Sequence, residues 1–225
     1  MPQDTILTIS ILGGTGKQGP GLATRWANAG YAVIIGSRDA ARARSTANEI
    51  NGKLGRPDLV TGMSNVDAAG ACDIAVLTVP YPAHRATLES VRDALKGKIL
   101  VDVTVPLDPD KRRRVKLPEG GSAGAEAQAL LGGEVKVVSA FQSIGFGHLQ
   151  ELDTPIDCDV LVTGNDKNAK QQVIKLAEAA GIAAFDAGPI ENAVVAESLA
   201  AALININIKF KVTSAGIRIT GIPRP

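Results

Sequence analysis

The chain has 225 residues, with 24 basic and 23 acidic residues, a formal net charge of +1 and 45% hydrophobic residues. At about 150 residues per domain this length predicts one or two domains, and it suffices to bury a core without disulfides or metals. The composition excludes a disordered chain. The small net charge argues against a surface that holds nucleic acid or an anionic membrane, so we expect small-molecule partners.

The cysteines and the N-terminus bear on the cellular compartment. Only Cys72 and Cys158 are present, without a CxxC motif, which predicts two reduced, buried thiols and no metal site. The N-terminus lacks a basic segment, so we expect no signal peptide. The most apolar helical stretch, residues 193–208, contains one acidic and three polar residues and is expected to fall short of a membrane span. We therefore predict a cytoplasmic protein.

Short apolar runs alternate with helical stretches along the first two thirds of the chain. Strands are predicted at residues 7–12, 32–35, 59–61, 74–79, 99–105 and 135–141, and helices at 20–29, 39–52, 84–95 and 123–131. Nearly continuous β-branched runs are typical of strands buried on both faces of a parallel sheet with right-handed helical crossovers. The pattern predicts an α/β, Rossmann-like, doubly wound and mostly parallel sheet.

The last third is predicted to form a smaller α/β part. Strands are expected at 159–163 and 183–185 around a helix at 167–180, followed by a long helix from Pro189 to about Phe210. This last helix is apolar around most of its circumference, so we expect it to be buried, against a second subunit in a homodimer. We place a boundary near residue 150, which gives a dinucleotide-binding domain over 1–150 and a smaller domain over 151–225.

A glycine-rich loop follows the first predicted strand. Gly14, Gly16 and Gly19 fit the G-x-G-x-x-G pattern and lead into a helix. In this motif the first glycine permits the tight turn, the second lets a pyrophosphate approach the backbone, and the third lets the helix pack closely on the strand. The N-terminus of the helix offers free N–H groups to the phosphates. The motif in this context predicts dinucleotide binding.

The end of the second strand indicates which dinucleotide is bound. Binders of NAD usually carry an acidic residue there, whereas this chain has Ser37 and Arg38. A guanidinium group matches a 2′-phosphate and a serine hydroxyl adds a donor, so we predict NADP. Asp39 is expected to cap the following helix.

Other candidate residues give weaker signals. We expect His84 to be a surface or capping residue, and His148, in a loop after a strand, to line a substrate pocket. Tyr31 and Tyr81 are not followed four residues later by lysine, which excludes the Tyr-x-x-x-Lys mechanism of short-chain dehydrogenases. The sequence therefore offers no catalytic acid–base pair. Hydride transfer between two bound rings requires orientation more than proton transfer, and is compatible with that absence.

A basic run occupies residues 111–116 and includes Arg112, Arg113 and Arg114. Such a run usually forms a solvated loop. Alternatively, it forms a landing site for the anionic tail of a substrate.

Taken together, these segments resemble the NADPH:coenzyme F420 oxidoreductases over nearly the whole chain. The matching segments are residues 12–16 with Gly19, 35–38, 71–80, 137–140, 152–153, 158–160, 186–189 and 197–199. The resemblance implies a homodimeric enzyme that binds NADP(H) and coenzyme F420 in adjacent sites. Hydride would pass reversibly between C4 of the nicotinamide and C5 of the deazaflavin.

The resemblance also implies a role for individual residues. The cofactor contacts would come from Gly14, Thr15, Gly16, Lys17 and Gln18 at the pyrophosphate, Ser37 and Arg38 at the 2′-phosphate, Thr78, Val79 and Pro80 beside the nicotinamide, and Ala140. The substrate contacts would come from Gln142, Ser143, Ile144, His148 and Asn207. No catalytic side chain and no metal ligand are implied.

The chain departs from the family pattern at one place. Some members carry a histidine where this chain has Gln142, and the loop at 145–147 also differs. Two alternatives therefore stay open: an NADP-dependent reductase of another small acceptor, and a non-catalytic NADP-binding sensor.

Overall fold

The computed structural model describes residues 7–108, 110–111 and 114–222. The strands are β1 (Thr8–Leu12), β2 (Ala32–Ser37), β3 (Val60–Ser64), β4 (Ile74–Leu77), β5 (Ile99–Asp102), β6 (Lys136–Ser139), β7 (Asp159–Gly164) and β8 (Ala183–Asp186). The helices are α1 (Gln18–Asn28), α2 (Ala40–Leu54), α3 (Asn65–Gly70), α4 (Tyr81–Val91), α5 (Ala123–Leu131), α6 (Phe146–Gln150), α7 (Lys167–Ala179) and α8 (Ala193–Phe210).

All eight strands belong to one sheet, in the order β3-β2-β1-β4-β5-β6-β7-β8. The strands from β3 to β6 are parallel to one another. β7 joins β6 in antiparallel orientation, with Val138 opposite Gly164, and β8 is again parallel to β7. The predicted Rossmann-like, mostly parallel sheet is confirmed, and the C-terminal strands continue it.

Helices cover both faces of the sheet, as the two-sided burial of the strands requires. One hydrophobic cluster lies beneath α1, α2 and α7, and the other beneath α3, α4 and α5. Trp26 of α1 is fully buried, and its indole Nε1 donates a hydrogen bond to the carbonyl of Leu176 at 2.8 Å. Its ring meets Phe141 edge-on with centroids 5.8 Å apart. These contacts fix α1 against α7 and against the loop after β6.

Two short helices were absent from the sequence prediction. α3 has six residues and is capped by Ser64, whose hydroxyl accepts a hydrogen bond from the Asp67 N–H at 3.1 Å. α6 has five residues. Neither is long enough to show an apolar repeat of helical period, so only tertiary contacts define them.

The long C-terminal helix differs from its prediction in two respects. The segment Ile190–Phe210 is long and apolar enough to meet the composition test for a membrane span, contrary to our expectation, although core helices of soluble proteins pass the same test. One face of its first half is buried, and both carboxylate oxygens of the buried Glu197 accept N–H groups of α5. Its last turns are exposed, and a tail, residues 212–222, follows it.

Candidate cofactor and substrate site

Two adjoining clefts lie at the carboxyl edge of the parallel strands. The strand order diverges between β1 and β4, and in this fold class that point opens a crevice for ligands. The first cleft has a volume of about 400 Å³ and is bounded by the glycine loop and the end of β2. The second, of about 390 Å³, reaches the ends of β5 and β6. Both clefts share Gly16 and the segment 78–80, so a ligand bound in one borders the other.

The turn after β1 is made by Gly13, one residue earlier than predicted. Gly13 has φ +71°, and a Cβ there would lie 2.4 Å from Cγ1 of Val79. Its N–H donates to Oδ1 of the buried Asn65 at 3.1 Å. The role assigned to Gly14 in the sequence therefore belongs to Gly13, because only glycine fits both the positive φ and the contact with Val79.

The three glycines of the motif divide between packing and ligand access. A Cβ on Gly14 would lie 2.7 Å from the carbonyl of Ile11, and a Cβ on Gly19 would lie 2.6 Å from the Cα of Gly14. These two glycines let α1 pack closely on β1. A Cβ on Gly16 would meet only the carbonyl of Gly13 at 3.7 Å. Gly16 therefore exposes bare backbone to both clefts, as a phosphate-binding position requires.

The start of α1 leaves donors free at the same place. No side chain caps this helix, so its first N–H groups and its positive dipole end are available to an anion. Lys17 extends over the ring of Phe146, with Nζ 5.3 Å from the centroid. Gln18 donates through Nε2 to the carbonyl of Ile144 at 3.0 Å. Gln18 thereby contacts Ile144, another residue that lines the second cleft.

The first cleft is cationic at its outer end. Ser37 is buried, and Arg38 is exposed beside it. Asp39 caps α2, as predicted, by accepting the N–H groups of Ala41 and Arg42. Arg42 itself lines the cleft with its Nη2 3.5 Å from the carbonyl of Thr15.

The sequence prediction missed Arg42 and Asn65. Arg42 lies in the first turn of α2, three residues after the cap Asp39, and the helix predicted from residue 39 was the available signal. Asn65 belongs to the unpredicted α3. With Arg38 and Arg42 at its mouth, and with Asp39 engaged in capping, the cleft has the charge that a 2′-phosphate requires.

The second cleft combines an apolar wall with several polar side chains. Val79, Val103, Val105 and Ile144 are among its lining residues, as are Thr104 and Gln142. Thr104 and Gln142 each bury one oxygen that has no hydrogen-bond partner in the described part of the chain. An apolar wall with a few placed polar groups is the usual composition of a site for a ring-shaped ligand.

Behind this cleft lies a buried acid–histidine pair, and the prediction for His84 is wrong. His84 is 2% exposed and lies inside the fold, with Nε2 2.6 Å from Oδ2 of Asp102. Burial lowers the pKa of His84, but the hydrogen bond and the charge of Asp102 raise it by more, so the net pKa is raised. The sequence around His84 does not indicate burial, because its partner Asp102 lies on β5 and not on α4.

Tyr81 and Glu197 extend the polar surroundings of this pair. The ring of Tyr81 stacks on His84, and its hydroxyl donates to Oε2 of Glu126 at 2.8 Å. Burial and this carboxylate raise the pKa of Tyr81 to about 12, so its hydroxyl keeps its proton. Burial raises the pKa of Glu197 to about 7, although the N–H groups of residues 123 and 124 oppose the shift.

Five predicted contact residues line neither cleft, and one of them is Gly14, which packs against the carbonyl of Ile11. Ala140 is fully buried in the core, and Ser143 donates its hydroxyl to the carbonyl of Asp159 at 2.9 Å. His148 Nε2 lies 2.6 Å from the carbonyl of Ser214. Asn207 accepts the N–H of Ala215 at 2.8 Å through Oδ1. The last two hold the C-terminal tail. Arg112 and Arg113 of the basic run lie outside the described residues.

The remaining predicted residues gather at the clefts. Their lining includes Thr15, Gly16, Ser37, Arg38, Thr78, Val79 and Pro80 in the first cleft and Gly16, Lys17, Gln18, Thr78, Val79, Pro80, Gln142 and Ile144 in the second.

Comparison with known proteins agrees with this arrangement. Residues 8–106 match the family "NADP oxidoreductase coenzyme F420-dependent". The chain is 44% identical over 223 residues to the F420-dependent NADP reductase of Methanothermobacter marburgensis, covering 96% of this chain and 100% of the relative. The chain belongs to this family. The reductase of the same name from Methanocaldococcus jannaschii is 43% identical, covering 96% of this chain and 99% of the relative.

A solved structure extends the family comparison to the fold. A protein of Arthrobacter sp. FB24, proposed to be an F420-dependent NADP reductase, has 26% sequence identity and a TM-score of 0.82. The match covers 96% of this chain and 100% of the other. The likeness therefore includes the C-terminal part as well as residues 8–106, which match the family description.

Proposed function

We propose that this protein transfers hydride reversibly between NADP(H) and coenzyme F420. The observation that carries the proposal is the wall of Gly16 and residues 78–80 shared by the two clefts. A dinucleotide in the first cleft and a second ring in the second cleft would meet across this wall. When bound, the nucleotide supplies hydride from nicotinamide C4 to deazaflavin C5, so that NADPH, F420 and one proton give NADP⁺ and reduced F420.

The chain's own groups would bind and orient the nucleotide. Arg38, Arg42 and Ser37 fit the 2′-phosphate, because two guanidinium groups and a hydroxyl converge there and supply charge-assisted donors. The backbone at Gly16 and the first N–H groups of α1 fit the pyrophosphate. Thr15, Lys17 and Gln18 flank that position. We keep the predicted roles of Thr78, Val79 and Pro80 beside the nicotinamide.

The second cleft would hold the acceptor ring and exclude water. Its valine and isoleucine side chains offer a dry surface, which favours hydride transfer over side reactions. No side chain is assigned an acid–base role, because orientation of the two rings accounts for the rate advantage.

The function is tested by mixing the purified protein with NADPH and oxidised F420 and following the visible absorbance of the deazaflavin. Rapid bleaching that depends on enzyme supports the proposal. Oxidation of NADPH only with imines, carbonyls or flavins as acceptors would replace it with a reductase of another substrate. Binding of NADPH without turnover of any acceptor would indicate a sensor.

We also infer a homodimer that uses the outer face of α8. Val195, Leu199, Ala202, Ile206 and Phe210 follow one another at helical spacing, and Val195, Ile206 and Phe210 are 55%, 42% and 65% exposed. An apolar stripe of this length is covered in most soluble proteins. Ile206→Glu should convert a dimer to a monomer in light scattering, whereas Lys175→Glu on α7 should not. A wild-type monomer would contradict the inference.

The remaining assignments complete the proposal. We propose a cytoplasmic location, supported by the two buried free thiols, and partners limited to small redox molecules, without nucleic acid or membrane. We propose that residues 1–150 form the NADP-binding domain and that 151–225 form the smaller part that completes the cleft and the dimer.

A further inference from the structure

The side-chain amide of Gln142 is fixed in one orientation. Its Nε2 donates to the carbonyl of Asp102 at 2.9 Å and to the hydroxyl of Ser139 at 2.8 Å. The carbonyl of Asp102 only accepts hydrogen bonds, so the amide cannot be reversed. Both N–H groups are thereby used. Oε1 remains a pure acceptor; it is buried, it has no partner in the described part of the chain, and it belongs to a side chain that is 8% exposed and lines the second cleft.

Thr104, which lines the same cleft, carries a second buried oxygen. The residue is 2% exposed, and Oγ1 has no hydrogen-bond partner among the described residues. Its backbone N–H donates to Oδ1 of Asp102 at 2.9 Å. Asp102 thus positions both residues, Thr104 through its carboxylate and Gln142 through its carbonyl. The carboxylate is held in turn by His84.

The backbone beside Gln142 is strained, which supports a functional reason for this arrangement. Phe141 has φ +72° although it is a large non-glycine residue, and its side chain is buried against Trp26. Strain of this kind persists where the surrounding structure enforces it, often at ligand sites. The turn it produces leads directly into Gln142.

Burial of an unpaired polar atom costs free energy, and a side chain of similar shape without that atom avoids the cost. Valine would replace Thr104 with nearly the same volume. Two such atoms on residues that line one cleft therefore point to a ligand that pairs with them. Gln142 Oε1 requires a donor from that ligand, and the Thr104 hydroxyl can supply a donor to an acceptor.

We propose that Thr104 and Gln142 together bind the amide edge of a ring ligand in the second cleft. Gln142 Oε1 accepts an N–H of that edge, and Thr104 Oγ1 donates to its carbonyl. This inference rests on the proposed function and specifies how the substrate is recognised. Two groups of the proposed substrates share this chemistry: the carboxamide of the nicotinamide and the cyclic imide of the deazaflavin.

The role of Thr104 is tested with Thr104→Val, and Thr163→Val serves as a matched control. Thr163 also buries an unpartnered hydroxyl, but it does not line the second cleft. Both variants should melt at or above the wild-type temperature. Only Thr104→Val should weaken the binding of NADP⁺ or of F420. The expected loss of affinity is about three- to tenfold, the range for one neutral hydrogen bond. A fall in melting temperature with unchanged ligand affinity would overturn this half of the proposal.

The role of Gln142 is tested by removing the donor from the ligand. One arm compares NADP⁺ with its 3-acetylpyridine analogue, in which a methyl group replaces the carboxamide NH₂. The other compares F420 with a derivative methylated on the imide nitrogen. Dissociation constants are measured by equilibrium titration for the wild type and for Gln142→Met. If the wild type binds a natural ligand more tightly than its analogue and Gln142→Met binds the two equally, the group altered in that analogue is the one that Oε1 contacts.

The outcomes separate this inference from the proposed function. Loss of discrimination in the first arm assigns the pair to the nicotinamide, and loss in the second assigns it to the deazaflavin. Equal discrimination by wild type and variant in both arms overturns the inference, even if the wild type reduces F420 rapidly. Failure of the wild type to bind or reduce F420 overturns the proposed function, while the NADP⁺ arm still decides the role of Gln142.

Discussion

His84 and Asp102 form a nearly inaccessible pair, with Nε2 of the imidazole 2.6 Å from Oδ2 of the carboxylate. The pair joins the start of α4 to the end of β5, directly behind the second cleft. Removing one partner leaves a buried polar group without compensation. We therefore expect Asp102→Asn to lower the free energy of unfolding by about 3–5 kcal/mol at pH 6. Urea denaturation measures the change.

A double-mutant cycle with His84→Gln provides the control for this prediction. In the His84→Gln background, Asp102→Asn should lower the free energy of unfolding much less than in the wild type. The reason is that no buried imidazolium is then left without its carboxylate. Additive effects of the two substitutions, within about 0.5 kcal/mol, would show that the two side chains do not interact in solution.

Arg38 should decide the preference for NADPH over NADH. Hydrogen bonds to charged groups contribute about 1.5–3 kcal/mol, so Arg38→Ala should raise KM for NADPH about 10- to 150-fold. KM for NADH should change little, because NADH has no 2′-phosphate. Steady-state kinetics with both nucleotides measure this. Arg44→Ala removes an exposed arginine of α2 that does not line the first cleft and should leave both constants unchanged. Equal increases for both nucleotides in Arg38→Ala would refute the assignment.

Gly14 and Gly16 should respond differently to the same substitution. Gly14→Ala places a methyl group 2.7 Å from the carbonyl of Ile11, so the variant should melt at a lower temperature. Gly16→Ala has space for the methyl group and should melt like the wild type, but its methyl group occupies the phosphate position. We expect its affinity for NADPH to fall at least tenfold in fluorescence titrations. Wild-type affinity in Gly16→Ala would contradict a phosphate site at this turn.

Glu197 should make stability depend on pH. Its pKa is raised from 4.5 to about 7 by burial, so the folded protein binds a proton that the unfolded chain releases between these values. The stability gained from that proton is fully present below pH 4.5 and is lost as the pH rises through about 7. The advantage of the wild type over Glu197→Gln in urea denaturation should therefore shrink between pH 5 and pH 8.

The control for this pH dependence is Glu191→Gln, at an exposed position in the turn before α8. Its difference from the wild type should stay constant over the same range. A stability advantage of the wild type over Glu197→Gln that grows with pH would contradict a raised pKa.

The fold and the nucleotide half of the site follow from local sequence signals. Continuous apolar runs marked the parallel strands, and glycine spacing with Arg38 marked the residues that line the first cleft, where we propose that the phosphates bind. The sequence did not reveal which polar side chains are buried or which distant elements contact one another. His84 was expected at the surface because nothing near it in sequence indicates Asp102, 18 residues away.

The acceptor half of the site was predicted less well for a related reason. His148 and Asn207 hold the C-terminal tail, an interaction that depends on how the tail packs after α8. No sequence motif includes Thr104. Its importance comes from a buried hydroxyl without a hydrogen-bond partner among the described residues, which only the structure reveals. Gln142 was identified from family resemblance, but the fixed orientation of its amide became apparent only from Asp102 and Ser139.

The most direct test of hydride transfer follows the hydrogen itself. The protein is incubated with oxidised F420 and NADPH carrying deuterium at C4 of the nicotinamide, in separate reactions for each of the two faces, and the product is examined by NMR and mass spectrometry. We predict one deuterium atom at C5 of the deazaflavin, from one face only. Reduced deazaflavin whose C5 hydrogen comes from water, or an unreacted mixture, would contradict direct transfer between adjoining clefts.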